Sequence, residues 1–283
     1  MPADNAYESQ KVSLLTQHGK QTLLRIPIET ALGCQLIHTD AYDTDLLGTF
    51  TREHIRPGSQ LDAARKKASI GMDLTNTSIG IASEGSFGMD PFGGLLPWNT
   101  EVVVWIDKNL GIEVVGVAQG PAQSLHKIIR STDELEAFAR SANFPDHYLV
   151  VRPQDQDHQN IIKGIDNLAD LVKAFECAKR KSENGNVFIE NDLRAHCNPT
   201  RQALIVKAAD NLIQKILSTC PQCSVPGYWI RDQTPGLPCA ACGRKTQLPI
   251  GEVWSCSSCQ YEDHSRVSIT GLADPSRCDF CNP

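Results

Sequence analysis

Residues 220–283 read CPQCSVPGYWIRDQTPGLPCAACGRKTQLPIGEVWSCSSCQYEDHSRVSITGLADPSRCDFCNP and hold eight of the chain's 11 cysteines. They fall into four Cys-x-x-Cys pairs: Cys220/Cys223, Cys239/Cys242, Cys256/Cys259 and Cys278/Cys281. Such a knuckle lets two thiolates reach one ion while backbone N–H groups point at the sulfurs, and zinc takes four such ligands in a tetrahedron. The pairs supply two complete four-thiolate sets, so the stretch reads as a double zinc ribbon holding two structural Zn2+ ions. Disulfides are the competing reading, and they need an oxidising compartment. Residues 1–11 (MPADNAYESQK) carry no apolar core flanked by basic residues, and no stretch nears the roughly 18 apolar residues of a membrane span. A cytoplasmic location with reduced thiols and no membrane association is expected, which favours metal. Cys34 and Cys177, dispersed upstream, read as buried small hydrophobes.

Nested pairing of the knuckles, inner with inner and outer with outer, is expected because it ties down a tail that would otherwise fray. Sequential pairing of the first four and the last four cysteines is the alternative. A core this small needs such staples, each structural zinc contributing on the order of 10 kcal/mol.

Upstream, short β-branched runs alternate with amphipathic stretches: VSLL (12–15), QLIH (35–38), IGIAS (79–83), EVVVWID (101–107), IEVVGVAQ (112–119), YLVV (148–151) and VFIE (187–190). These read as strands. Ser59-x-x-Asp62 and Ser131-x-x-Glu134 are capping patterns that open helices, residues 167–181 make a third, and Asn198-Pro199 caps a last helix that runs into Cys220. The 101–107 and 112–119 runs, joined by a short turn, predict an antiparallel hairpin, so the sheet is expected to be mixed. The organisation is an α/β, mixed-sheet, three-layer domain over residues 1–219, followed by a small double zinc ribbon over 220–283.

The net charge of -6 and pI of about 5.7 give no bulk attraction to a phosphate backbone. The ribbon itself holds five Lys/Arg against six Asp/Glu, so nucleic acid is not favoured as a partner.

Four segments concentrate polar residues where strands end, the usual ligand position in open α/β sheets. The first is Thr16-Gln17-His18-Gly19-Lys20, a strand-to-helix turn suited to an anion. The second, residues 43–67, brings Thr49, Thr51, Arg52 and Glu53 ahead of Asp62, Arg65, Lys66 and Lys67. The third, residues 82–88, reads either as a turn offering Glu84 to a magnesium ion or as a solvated polar turn. The fourth, residues 192–201, offers Arg194 and Arg201 to an anion at a helix N-terminus, with His196 as a proton carrier; the competing reading has Asp192 and Arg194 brace the loop. A thiol nucleophile at Cys197 is discounted, because neighbours in an extended loop point opposite ways.

Taken in order, these segments resemble the nucleotide-pyrophosphatase superfamily of the inosine-triphosphatase and Maf-like type. Its Thr-x-Asn-x-x-Lys turn is similar to Thr16, His18 and Lys20, one residue shorter and with histidine for asparagine. Its Glu-Asn-Ala-Arg-x-Lys-Ala helix resembles residues 62–68, its Ala-Asp-Asp-Ser-Gly-Leu metal turn resembles residues 82–87 with one acid instead of two, and His196 with Arg201 resembles its late Ser-His-Arg. The Phe87–Pro91 run is similar to its base-binding motif but stands too early. Over nearly its full length, through GTFTRE, GIEVVGVAQG, DLRAHCNPTR and RCDFCNP, the chain also resembles a bacterial family of unknown function with a cysteine-rich tail.

The resemblance implies a magnesium-dependent hydrolase of a nucleotide or other phosphorylated small molecule. Asp62 and Glu84, joined by Glu53, would hold Mg2+; Thr16, Lys20, Arg52, Lys67, Arg194 and Arg201 would bind phosphate; His18 and His196 would orient substrate or move a proton. The alternative is a non-catalytic ligand sensor whose ribbon docks a protein or nucleic-acid partner, Tyr228, Trp229, Trp254 and Tyr261 forming either a docking face or the ribbon's small core. A catalytic zinc is disfavoured, since four thiolates leave no open position.

Overall fold

Lys11–Leu15 forms β1, buried along four of its five residues, and Lys20–Leu32 (α1) carries the chain back to lay Gln35–Thr39 (β2) parallel beside it. Gly33 ends α1 at φ 63°, the left-handed conformation that closes a helix at little cost for glycine. Gln60–Thr75 (α2) then crosses to Ile79–Met89 (β3), parallel to β1 on its other side. Parallel crossovers are right-handed, so moving out to β2 and back past β1 to β3 puts α1 and α2 on opposite faces. Pro97–Asp107 (β4) and Ile112–Pro121 (β5) complete a sheet of order β2-β1-β3-β4-β5. The β3–β4 and β4–β5 connections are too short for a crossover, so those pairs are antiparallel and the sheet is mixed, as the hairpin reading required.

A second sheet was not foreseen. His126–Ile129 (β6), Leu149–Pro153 (β7), Ile162–Ile165 (β8) and Val187–Asn191 (β9) pair antiparallel in the order β6-β9-β7-β8, apart from the first sheet. Thr132–Ser141 (α3) and Leu168–Lys181 (α4) cover one face, with Leu135, Phe138, Leu171 and Phe175 packed on Leu149, Val151, Val187 and Ile189. Ser59 and Ser131 make the capping boxes expected of them.

Pro199–Leu217 (α5) begins where Asn198 accepts the Arg201 backbone N–H at 3.0 Å, as the Asn-Pro signal predicts. It returns to the five-stranded sheet at Gly116, where a Cβ would lie 2.2 Å from the Ala208 carbonyl oxygen and 2.6 Å from the Leu212 Cβ. Val102 and Val104 of β4 pack with Ala64 of α2, so this sheet carries helices on both faces. Gly116→Ala is expected to push α5 outward and lower stability by about 1–3 kcal/mol, read as a fall in the thermal midpoint.

The structure, a computed structural model, describes residues 6–54, 56–267 and 270–283. Residues 1–5, part of the segment read for a secretory signal, lie outside them. The chain divides into two compact units, Met1–Ile106 with Val115–Ile213, and Asp107–Val114 with Gln214–Pro283. In the second, Trp229–Pro235 (β10), Pro249–Ser255 (β11) and Glu262–Val267 (β12) form an antiparallel meander. No helix among the described residues is long and apolar enough to cross a membrane.

Candidate functional site

The eight tail cysteines gather into two groups, Cys220, Cys223, Cys256 and Cys259 in one and Cys239, Cys242, Cys278 and Cys281 in the other, with all sulfurs of a group within 4.8 Å of one another. The Cys220–Cys259, Cys223–Cys256 and Cys242–Cys278 sulfurs are 3.7 Å apart and the Cys239–Cys281 pair 3.9 Å. Zn–S bonds of ~2.3 Å give a tetrahedron with edges of about 3.8 Å, whereas a disulfide needs about 2.05 Å. The donor sets therefore fit zinc. Backbone N–H groups of Gln222 and Ala241 point at the Cys220 and Cys239 sulfurs at 3.4 Å, as knuckles require. Tyr228, Trp254 and Tyr261 pack around the first set, and Trp229 lies against Trp254 outside that cluster.

Neither expected pairing is observed. The first knuckle joins the third and the second joins the fourth, a crossed arrangement that strand direction dictates. A three-strand antiparallel meander has two ends, and the chain reaches them alternately. The knuckle before β10 and the one between β11 and β12 share one end. The knuckle between β10 and β11 and the one after β12 share the other, where the Ala273 backbone N–H donates to the Pro238 carbonyl at 2.7 Å.

In the N-terminal unit, a narrow cleft of about 30 Å³ is walled by residues from both sheets. Glu84 lies at its base. Lys67 of α2 pairs with one Glu84 oxygen and Arg56 approaches the other at 3.5 Å. Burial opposes the Glu84 charge, yet Lys67, Lys20 and Arg56 outweigh it and hold the carboxyl at about 2. Lys20, in the first turn of α1, is buried and donates to the Ser83 carbonyl at 2.5 Å. Burial drives its ammonium from 10.5 down to about 7, Glu84 resisting and Arg201 and Lys67 assisting. Arg201 of α5 meets Glu101 of β4 at 2.7 Å in a pair shielded from solvent, with its guanidinium 4.7 Å from the Phe50 ring centre.

His18 sits at the rim, 3.0 Å from Asp45, its ring stacked on that of His196 with centroids 5.6 Å apart. Burial lowers the pKa of both rings, so both favour the neutral form. Arg194 lines the cleft while gripping Asp192 through Nε and Nη2, at 3.0 and 2.6 Å. The bracing reading of that pair is therefore the observed one. Burial and Asp192 push the Cys197 thiol up to about 12, in line with discounting it as a nucleophile.

Of the residues singled out from the sequence, His18, Lys20, Lys67, Glu84, Arg194 and Arg201 line this cleft, with His196 stacked behind His18. Three do not. Asp62 is the N3 residue of the α2 capping box, its carboxylate 2.6 Å from the Ser59 hydroxyl and pairing with Arg65 at 3.3 Å. Arg52 turns to Glu190, both oxygens at 3.1 Å. Thr16 is buried beneath the turn, its carbonyl on His38 at 2.9 Å. Glu53 is taken by Lys163 and by the Thr51 hydroxyl, the latter at 2.6 Å.

Residues 82–88 are not a turn. β3 runs on to Met89 with Glu84 buried in mid-strand, which overturns both readings of that segment. Among the described residues, the two cysteine sets are the groups of three or more His, Cys, Asp or Glu with converging ligand atoms. With both Glu84 oxygens facing cations, the cleft does not fit a magnesium ion. Arg56, Asp45, Lys163 and Glu101 were missed; a lone glutamate opening the apolar run EVVVWID was the available signal.

The chain belongs to a family defined by a domain of unknown function (DUF6671), whose model matches residues 67–283. No curated protein matches it. Lys67, Glu84, Lys163, Arg194 and Arg201 fall inside the matched span, and His18 and Lys20 before it.

Proposed function

We propose that the cleft binds the phosphate of a phosphorylated small molecule and that the two zinc clusters are structural. The observation that carries this is Lys20, a buried cation whose hydrogen bond goes to a backbone carbonyl rather than to a carboxylate, beside Lys67 and Arg201. An entering phosphate would be its counter-ion, and charge-assisted bonds to such a group are the strong kind. The resemblance to nucleotide pyrophosphatases supports nucleotides as the first ligands to try. Hydrolysis, the finer form of this reading, would use His18 as base with Asp45 orienting its ring. No step is assigned to magnesium. The working division remains 1–219 for the ligand domain and 220–283 for the ribbon, in a reducing cytoplasm that keeps the thiolates free for metal. Docking of a partner on the ribbon is a weaker reading, since Tyr228, Trp254 and Tyr261 are engaged around a cysteine set.

Titration calorimetry with sulfate, which stays dianionic throughout, tests the binding. Anion binding favours protonated Lys20, and the free protein loses that proton as pH rises through about 7. Affinity is expected to fall above pH 7 by up to about tenfold per pH unit. Lys20→Met should flatten that slope. Absence of sulfate binding at pH 6 would end the proposal.

A further inference from the structure

Lys20 has a second chemical capacity. Lys67 and Arg56 share Glu84, and Arg201 is neutralised by Glu101 while its Nη1 donates to the Leu193 carbonyl at 2.5 Å. Every other cation at the base of the cleft has a carboxylate. Lys20 has the Ser83 carbonyl, at 2.5 Å, and it lines the cleft from the first turn of α1. The charged groups acting on it are Glu84, Arg201, Lys67 and Glu101. An amine held among cations and out of water keeps its lone pair near neutral pH, the condition a lysine needs to attack a carbonyl.

We infer that, with a phosphorylated aldehyde or ketone, Lys20 gives up the role of phosphate counter-ion and captures the carbonyl carbon as an imine, while Lys67, Arg194 and Arg201 hold the phosphate. The inference rests on the phosphate-binding reading and names the substrate class of that same cleft. The Nζ lone pair forms a bond to the carbonyl carbon as the C=O π pair moves to oxygen. The carbinolamine then loses water as the C=N bond closes, and both amine protons leave in that water. No oxidant or reductant is needed. His18, oriented by Asp45 at 3.0 Å and lining the same cleft, is placed to carry the protons.

The test uses the full-length zinc-loaded chain with glyceraldehyde 3-phosphate, reduction of any imine by sodium borohydride, and peptide mapping by mass spectrometry. One adduct is expected, on Lys20. Excess sulfate should suppress it, and glyceraldehyde lacking the phosphate should label at least about tenfold more slowly, because it forgoes the charge-assisted anchor. Lys20→Arg should abolish it. Mapping is done on the native chain, so a poorly folding variant does not blunt the result. Labelling scattered over exposed lysines and insensitive to sulfate overturns the inference. So does absence of any adduct; if sulfate still binds in that case, phosphate recognition survives and the imine alone is rejected. Failure of sulfate to bind strikes both.

Discussion

Replacing Cys223 with serine is expected to lower bound zinc from two ions per chain to one, and replacing Cys223 together with Cys259 is expected to leave that same one. Both cysteines belong to one set in the crossed arrangement. In a nested or a sequential ribbon they would belong to different sets, and the double variant would lose both ions. Cys223→Ser with Cys242→Ser gives the converse, since it breaks one ligand of each observed set. The effect on folding is large, because a structural zinc contributes on the order of 10 kcal/mol and whole domains are stable by about 5–15. Tyr228 and Trp254 rest on the first set, and Trp229 packs at a tilt against Trp254 with ring centroids 5.1 Å apart, so loss of that ion should shift tryptophan emission. Metal analysis showing zero zinc in the Cys223/Cys259 double variant would reject crossed pairing.

The crossed pairing could have been read from the sequence. GYWIRD, LPIGEVW and EDHSRV lie between successive knuckles, and three antiparallel strands in a row force alternate knuckles to opposite ends. Nested pairing was favoured because it fixed the tail, an argument about fraying that ignored strand direction. Where one residue type does one local job, the sequence was sufficient. Ser59, Ser131 and Asn198-Pro199 start helices by satisfying N–H groups within a turn, so nothing distant is needed to recognise them.

The second sheet lacked such a signal. HKII and IKGI are four-residue edge strands with exposed positions, and pairing with β9 and β7 rather than composition makes them strands. Gly85 misled for a related reason. A glycine after Glu84 reads as a turn, but here it serves space: a Cβ would lie 2.3 Å from the Glu101 carboxylate and 2.7 Å from the Arg201 guanidinium. Its meaning depends on a residue more than a hundred positions away. Asp62 failed in the opposite direction. Its local role in the cap was read correctly, and that role occupies the carboxylate proposed for metal.

Arg201→Met is expected to cost the N-terminal unit about 3–5 kcal/mol, because it strands a buried charge. The Glu101 side chain is 0% exposed and that of Arg201 2%, and Nε meets the carboxylate at 2.7 Å. The substitution also removes the donor to the Leu193 carbonyl at 2.5 Å and the cation over Phe50. For a unit of this size each kcal/mol lowers the thermal midpoint by roughly 2–4 °C, so a fall of about 6–20 °C follows. Glu101→Leu combined with Arg201→Met should recover most of that loss, since a buried ion pair and an apolar pair of similar volume are often close in stability while half a pair is not. Urea midpoints at unchanged slope are the measurement. Sulfate affinity separates the two roles of Arg201. The double variant regains stability but still lacks a cleft cation, so its affinity should remain as weak as that of the single variant. Recovery of both together would mean that Arg201 shapes the cleft without facing the anion, and the phosphate would then rest on Lys20, Lys67 and Arg194.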